Sequence, residues 1–344
     1  MVKQTIKFNE NILLSKRFLP LFITQFFGAF NDNLFKNAFL IWYTYDISVK
    51  LKIDAQFMVT IASGLFVLPF FLFSAFAGQV ADKYVKSKIV HIIKIIEIFI
   101  MIFALIGFYS ESINLLLFLL FLMGVHSTFF GPIKYSLLPE ILKKNELIKG
   151  NGLIEGGTFL AILFGTIIGG MIIRSKYGIE IVNILAILFA LIGYFASLQI
   201  PKTPISDSSL KIGFNIFSST WQIIKFAKRD NLVWLSIIAI SWFWFIGITF
   251  LSQFPIYTKN IINGNESIVT FFLSIFSIGI GIGSVMCNYL LKGQINAKLV
   301  PTGLIGISFG IIIFVVASKF YTAPINVISL KEFLTLKLSF FNII

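Results

Sequence analysis

The chain has 344 residues, 57% apolar and 12% charged, with a mean hydropathy of +0.92 and a formal net charge of +13. Soluble domains carry about 25% charged residues, so this composition excludes a soluble globular protein and describes one embedded in a bilayer. The lone Cys287 excludes a disulfide framework and a multi-cysteine metal site. The positive charge would point to nucleic acid in a soluble chain. Here it orients helices in a membrane, and no nucleic-acid partner or cofactor is implied.

Met1 to Arg17 is polar and basic. Apolar runs then fall at about Leu19–Tyr45, Phe57–Ala81, Ile89–Tyr109, Ile113–Leu138, Gly152–Ile173, Ile179–Ile200, Leu232–Ile261, Ile268–Leu291 and Leu299–Ser318. A helix needs about twenty residues to cross the hydrocarbon, whereas barrel strands run about ten with strict alternation. The expectation is therefore an all-α polytopic membrane protein with nine spans. The first run is too long for a cleavable leader and lacks a small-residue cleavage pattern, so it stays as a span. Tyr321 to Ile344, broken by Pro324, Lys331, Glu332 and Lys337, reads as a poor tenth helix or a tail.

Basic residues gather on the N-terminal arm (Lys3, Lys7, Lys16, Arg17) and on every second loop after it. The opposite loops hold Lys50, Lys52, Arg174, Lys176, Lys259 and Lys319. By the positive-inside rule the N-terminus is expected to be cytoplasmic. The longest connection, Pro201 to about Asp230, carries Leu210, Phe214, Phe217, Trp221 and Ile224 at helical spacing beside Lys211, Lys225, Lys228 and Arg229. That pattern predicts a helix lying along the headgroups. Residues 1–200 thus read as a six-helix half, 201–231 as a cytoplasmic connector and 232–344 as an incomplete second half. Two six-helix halves would need three further spans, and the 26 residues from 319 to 344 are fewer than two crossings.

The first span sets Asn31, Asp32, Asn33, Lys36 and Asn37 near its centre. A charge at the bilayer centre costs on the order of 2.5 to 3.5 kcal/mol, so such groups face protein or a water-filled path. Asp32 and Lys36, four apart, have the spacing of an ion pair, structural or part of a substrate path. Lys94 and Glu97 in the third span and Glu155 in the fifth are read by the same rule, with snorkelling to the headgroups as the alternative for Lys94. Pro132 and Lys134 end the fourth span. Lys134 is either a point-charge partner for phosphate or an interfacial anchor. Asn151 to Thr158, with Gly165, Gly169 and Gly170, gives the fifth span a small-residue face for helix packing.

Between spans two and three, Gly78, Asp82, Lys83 and Lys86 suit a gating latch that holds one half against the other. Gly279, Gly281 and Gly283 look like a nucleotide fingerprint, but no strand precedes them and they read as close helix packing. The cores of spans seven to nine hold no charge, which places polar groups in the first half and an apolar wall in the second.

Phe30-Asn31-Asp32-Asn33, Gly78-Gln79-Val80-Ala81-Asp82, Pro132-Ile133-Lys134-Tyr135 and Asn151-Gly152-Leu153-Ile154-Glu155, in that order, resemble the bacterial lysophospholipid transporter branch of the major facilitator superfamily. The resemblance covers roughly residues 17–318 and includes transporter portions fused to acyltransferase and acyl-carrier-protein synthetase domains. It implies an inner-membrane flippase moving lysophosphatidylethanolamine-type lipids from outer to inner leaflet by alternating access. By position, Asp32, Lys134 and Glu155 match polar residues of that family's first-half cavity. Two departures stand out: Leu251 and Ser252 occupy the place of a charged residue in span seven, and the last three helices have no counterpart. The alternatives are a transporter of a small polar solute or drug, or a fragment that needs a complementary C-terminal piece. The expected partners are the lysophospholipid, membrane lipids and an acyltransferase or acyl-carrier-protein synthetase. A membrane enzyme finds no support in any pairing of nucleophile and base.

Overall fold

The computed structural model describes residues 11–52, 55–213, 215–292, 294 and 297–335. Lys3, Lys7, Phe214, Lys337 and the rest of the expected tail beyond residue 335 lie outside the described residues. Six long helices come first: α1 (Leu19–Trp42), α2 (Ala55–Lys83), α3 (Lys86–Tyr109), α4 (Ile113–Ile141), α5 (Leu147–Ile173) and α6 (Gly178–Ser197). After the connector helix α7 (Ile216–Ala227) come α8 (Asn231–Tyr257), α9 (Glu266–Leu291), α10 (Val300–Phe320) and the short α11 (Leu330–Thr335). The nine expected spans are therefore present as long helices. Among the described residues seven are both long and apolar enough to cross a membrane on their own. α1 falls short because its polar knot lowers its hydropathy, and α8 joins α7 through a bend of 119°.

Packing explains the order of these elements. α1 is the central rod of the first bundle, and its buried Phe35, Phe39 and Trp42 meet Met101, Phe108 and Leu116 from α3 and α4. α5 lies against α1 through its glycines. A methyl at Gly169 would stand 2.5 Å from the Leu34 carbonyl oxygen, and one at Gly157 would stand 2.6 Å from the Phe22 ring. The other edge of α5 meets α9, where a methyl at Gly152 would approach the Ser284 carbonyl oxygen at 3.1 Å and one at Gly156 the Gly281 Cα at 3.7 Å. The small-residue face read from the sequence is thus two faces. Gly279, Gly281 and Gly283 all have open space where a side chain would stand, so the close packing expected at them is not formed.

The connector departs from the expected register. Residues 201–213 are irregular, with a turn at 208–209, and the helix begins at Ile216, where the Asn215 side chain accepts a hydrogen bond from the Ser218 amide at 3.0 Å. Leu210 and Lys211 therefore precede the helix, because a cap of this kind fixes where the backbone first closes a turn. Phe217, Trp221 and Phe226 are exposed, while Ser219 and Ala227 are buried.

Arg17 ties the start of α1 to the α4–α5 turn, donating to Glu146 Oε1 at 2.7 Å and to the Ile141 carbonyl at 3.2 Å. The hydrogen bond from Arg17 is the main reason the Glu146 carboxyl is held below its ordinary value of 4.5. A depressed carboxylate lends stability that is full above the ordinary value and lost as pH falls through the lowered one. Acidification should therefore lower the thermal unfolding temperature in detergent through this pair. Arg17→Ala should reduce that acid dependence, and an unchanged profile would remove the pair from the account.

A Gly169→Leu substitution should be more damaging. It overpacks the α1–α5 contact and should cost about 1–3 kcal/mol, visible as early loss of the monodisperse peak on heated size-exclusion chromatography. Gly306→Leu, with open space around it, should match the parent.

Candidate functional site

Two groups of polar side chains occupy the first bundle. The inner group lies between α1, α3, α4 and α6. Lys94 Nζ is 2.6 Å from Glu97 Oε2, and both side chains are 0% exposed. Asn31 Nδ2 donates to Glu97 Oε1 at 2.8 Å and to the Ala186 carbonyl at 3.0 Å. His126 Nε2 stands 3.2 Å from Glu97 Oε2. Room for the lysine comes from Gly28 and Gly193, where a methyl would lie 2.7 Å and 3.5 Å from Lys94 Nζ. Lys94 therefore does not snorkel to the headgroups; an adjacent carboxylate and two glycines make burial the better solution.

The expected Asp32–Lys36 ion pair is not formed. Asp32 Oδ2 accepts from Ser127 of α4 at 2.5 Å, whereas Lys36 Nζ donates to Asn33 Oδ1 at 3.2 Å and lies 5.2 Å from the Phe66 ring centroid. Both residues share a helical face, but a neighbouring group offers each a partner closer than the other. Asn33 also donates to the Ala29 carbonyl, and Asn37 donates to Thr166 of α5 at 3.1 Å. Sequence reasoning missed His126 and Ser127. His126 was legible as a titratable group inside a span; Ser127 carried no signal until the helices were packed.

The outer group sits at the end of α4 and the start of α5. The Tyr135 hydroxyl donates to Glu155 Oε1, and Lys134 Nζ lies 4.8 Å from the Tyr135 ring centroid. Lys134 is half-buried and feels the charges of both Glu155 and Asp32. Glu155 lines a cavity of about 1200 Å³ between α5, α8, α9 and α10. Asn151, Glu155 and Ser284 are its polar features, and phenylalanines such as Phe250, Phe254 and Phe276 make much of its wall. Phe159 of α5 stacks on Trp244 of α8 at 5.7 Å beside it. The acidic side thus comes from the first helical set and the phenylalanine walls from the second, as the charge distribution implied. Asn31, Asp32, Asn33, Lys36, Lys94, Glu97 and Lys134 do not line this cavity.

The loop motif behaves differently from the expected latch. Lys86 is buried and its Nζ meets Glu140 Oε1 at 2.5 Å and Ser206 Oγ at 2.8 Å. Gln79 accepts from the Gly213 amide at 2.8 Å, and the Asp82 carbonyl accepts from the Asp207 amide at 3.0 Å. These bonds fasten the connector to the first bundle instead of one bundle to the other. Asp82 is exposed, Lys83 lies 6.0 Å from the Tyr84 ring centroid, and a methyl at Gly78 would meet nothing within 4 Å. The connector reaches these groups first because it crosses directly beneath α2.

A family model described as Major Facilitator Superfamily matches residues 21–341. The chain belongs to the major facilitator superfamily. It is an all-α, multi-pass membrane transporter of that superfamily. Within it, the chain is similar to the protein named lysophospholipid transporter LplT from Photorhabdus laumondii, 26% identical over 330 residues that cover 93% of this chain and 77% of the relative. The proteins of the same name from an Enterobacter species and from Serratia proteamaculans are 26% and 25% identical, over 88% and 91% of this chain and 73% and 76% of theirs.

Removing one member of the buried pair leaves an uncompensated charge and should cost about 3–5 kcal/mol. Lys94→Met and Glu97→Met should each lower the unfolding temperature sharply, while the two substitutions together should recover most of the loss. A double-mutant cycle reads this directly; additive losses would refute the coupling.

Proposed function

We propose that this chain is a lysophospholipid flippase of the bacterial inner membrane. It moves lysophosphatidylethanolamine-type lipids from the outer to the inner leaflet by alternating access, with its N-terminus in the cytoplasm. The observation that carries this reading is the cavity whose one wall is acidic and whose other walls are aromatic. A single-chain phospholipid needs such a site, with polar groups to fix the headgroup and apolar surface for one acyl chain. Its volume of about 1200 Å³ exceeds the roughly 300–1,000 Å³ of common small-molecule pockets, which suits a lipid better than a small polar solute. The relatives add support, since their names specify lysophospholipid.

In this reading Glu155 attracts the ethanolamine ammonium inside the cavity, and Asp32 and Lys134, outside its lining, act elsewhere on the path, Asp32 on the ammonium and Lys134 on the phosphate as a point charge. Asn31, Asn33, Lys36, Lys94 and Glu97 hold the first helix in register around that path. The connector, pinned by Lys86 beside Gly78, Asp82 and Lys83, gates the cytoplasmic mouth. Delivery to the inner leaflet suits an acyltransferase or acyl-carrier-protein synthetase as the consuming partner.

Flipping of a fluorescent lysophosphatidylethanolamine in reconstituted vesicles tests this. Glu155→Gln and Lys134→Ala should each slow it about tenfold, which is about 1.4 kcal/mol. Unlabelled lysophospholipids should compete, and water-soluble solutes should not. Unchanged rates in both variants would remove the residue assignment, and competition by solutes alone would favour a solute transporter.

A further inference from the structure

We infer that α7 and its bend into α8 form a docking surface for anionic phospholipid headgroups of the cytoplasmic leaflet, the leaflet set by the orientation proposed above. α7 has 12 residues. At helical rise that is about 18 Å, short of the roughly 30 Å of hydrocarbon, so the helix does not cross the bilayer alone. It meets the long apolar helix α8 through a bend of 119°. With α8 crossing the bilayer, α7 lies nearer to the membrane plane than to the normal.

The side chains of α7 are arranged for lipid and not for water. Ser219 and Ala227 are buried, whereas Phe217, Trp221 and Phe226 are 73%, 57% and 72% exposed. A helix between protein and water buries its large apolar groups and shows its polar ones; a helix between protein and bilayer does the reverse. Rotation cannot hide the rings, because the buried side is pinned. Ser219 Oγ donates to the Gly213 carbonyl at 3.2 Å, and the Gly213 amide donates to Gln79 of α2 at 2.8 Å.

The cations select the lipid. Lys225 Nζ lies 5.8 Å from the Trp221 ring centroid, Lys228 Nζ 4.8 Å from that of Trp234, and Arg229 Cζ 5.9 Å from that of Phe226. Among the described residues none of the three forms an ion pair with a carboxylate. The neighbouring Asp230 is turned to the start of α8, where its carboxylate accepts from the Leu232 and Val233 amides at 2.9 and 3.2 Å. A ring leaves a cation its full charge and its N–H donors, so the cluster is short of an anion. Rings beside cations suit headgroup depth, where the ring rests in the interface and the ammonium or guanidinium meets phosphate. An acidic soluble protein would satisfy the charge and leave the rings in water. A zwitterionic headgroup brings its own cation with its phosphate. An anionic phospholipid satisfies both the charge and the rings.

The full chain in detergent, titrated with phosphatidylglycerol or phosphatidylcholine and read by native mass spectrometry, should bind the first more tightly. Lys225→Gln, Lys228→Gln and Arg229→Gln together should weaken phosphatidylglycerol binding about tenfold or more and leave phosphatidylcholine binding in place. Lys143→Gln with Lys144→Gln, exposed on the α4–α5 turn, should keep the preference. Phe217→Ser with Trp221→Ser should weaken both lipids alike. Equal binding of the two lipids by the parent, a preference that survives the triple exchange, or one that falls as far in the Lys143 and Lys144 control would overturn the proposal. All the exchanged residues are exposed, so a change in binding is not a loss of fold. Neither lipid is a lysophospholipid, so failure here leaves the flippase reading standing, and failure of the flipping assay leaves this surface standing.

Discussion

The first bundle depends on the enclosure of one ion pair. Lys94 and Glu97 are placed where hydrocarbon would surround them, and neither is tolerated there unless every polar atom finds protein. The solution uses four helices: a carboxamide from α1, the pair itself on α3, an imidazole from α4 and a backbone carbonyl from α6. Each of those helices is fixed in rotation by the demand. The aromatic packing of Phe35, Phe39 and Trp42 against α3 and α4 then follows from a register already set by polar contacts.

Close approach by glycine is the second constraint. Lipid tails are as apolar as leucine, so helices in a bilayer are held by shape and by polar contacts. α5 shows this on both edges, meeting α1 through Gly157, Gly165 and Gly169 and α9 through Gly152 and Gly156. It also bears Glu155, so the helix that joins the two helical sets is the one that supplies acidity to the cavity between them.

Much of this was legible in the residues. Seven of the long helices followed from hydropathy, and the division into a polar first set and an apolar second set followed from where the charges lie. The role of α5 followed from the spacing of its glycines. What failed to show were the partners. Asp32 and Lys36 had ideal spacing for each other, yet Asp32 is met by Ser127, which packing brings from α4, and Lys36 turns to Asn33, three residues back on its own helix. Lys86 read as part of a latch between the halves, and the connector that folds back over it could not be seen in the residues. His126 went unread because its companions lie on other helices, a kind of proximity that no stretch of sequence displays.

The buried contact of Lys86 with Glu140 and Ser206 has a mechanical outcome. Together with the bonds from Gln79 and Asp82, it makes residues 201–213 a strap riding on the first six helices. Beyond the strap the chain changes direction at the short turn Lys228–Asp230, where α7 breaks away into α8 at 119°. That turn is the natural pivot for any rocking of the later helices, with the glycine seam of α5 and α9 as its sliding bearing.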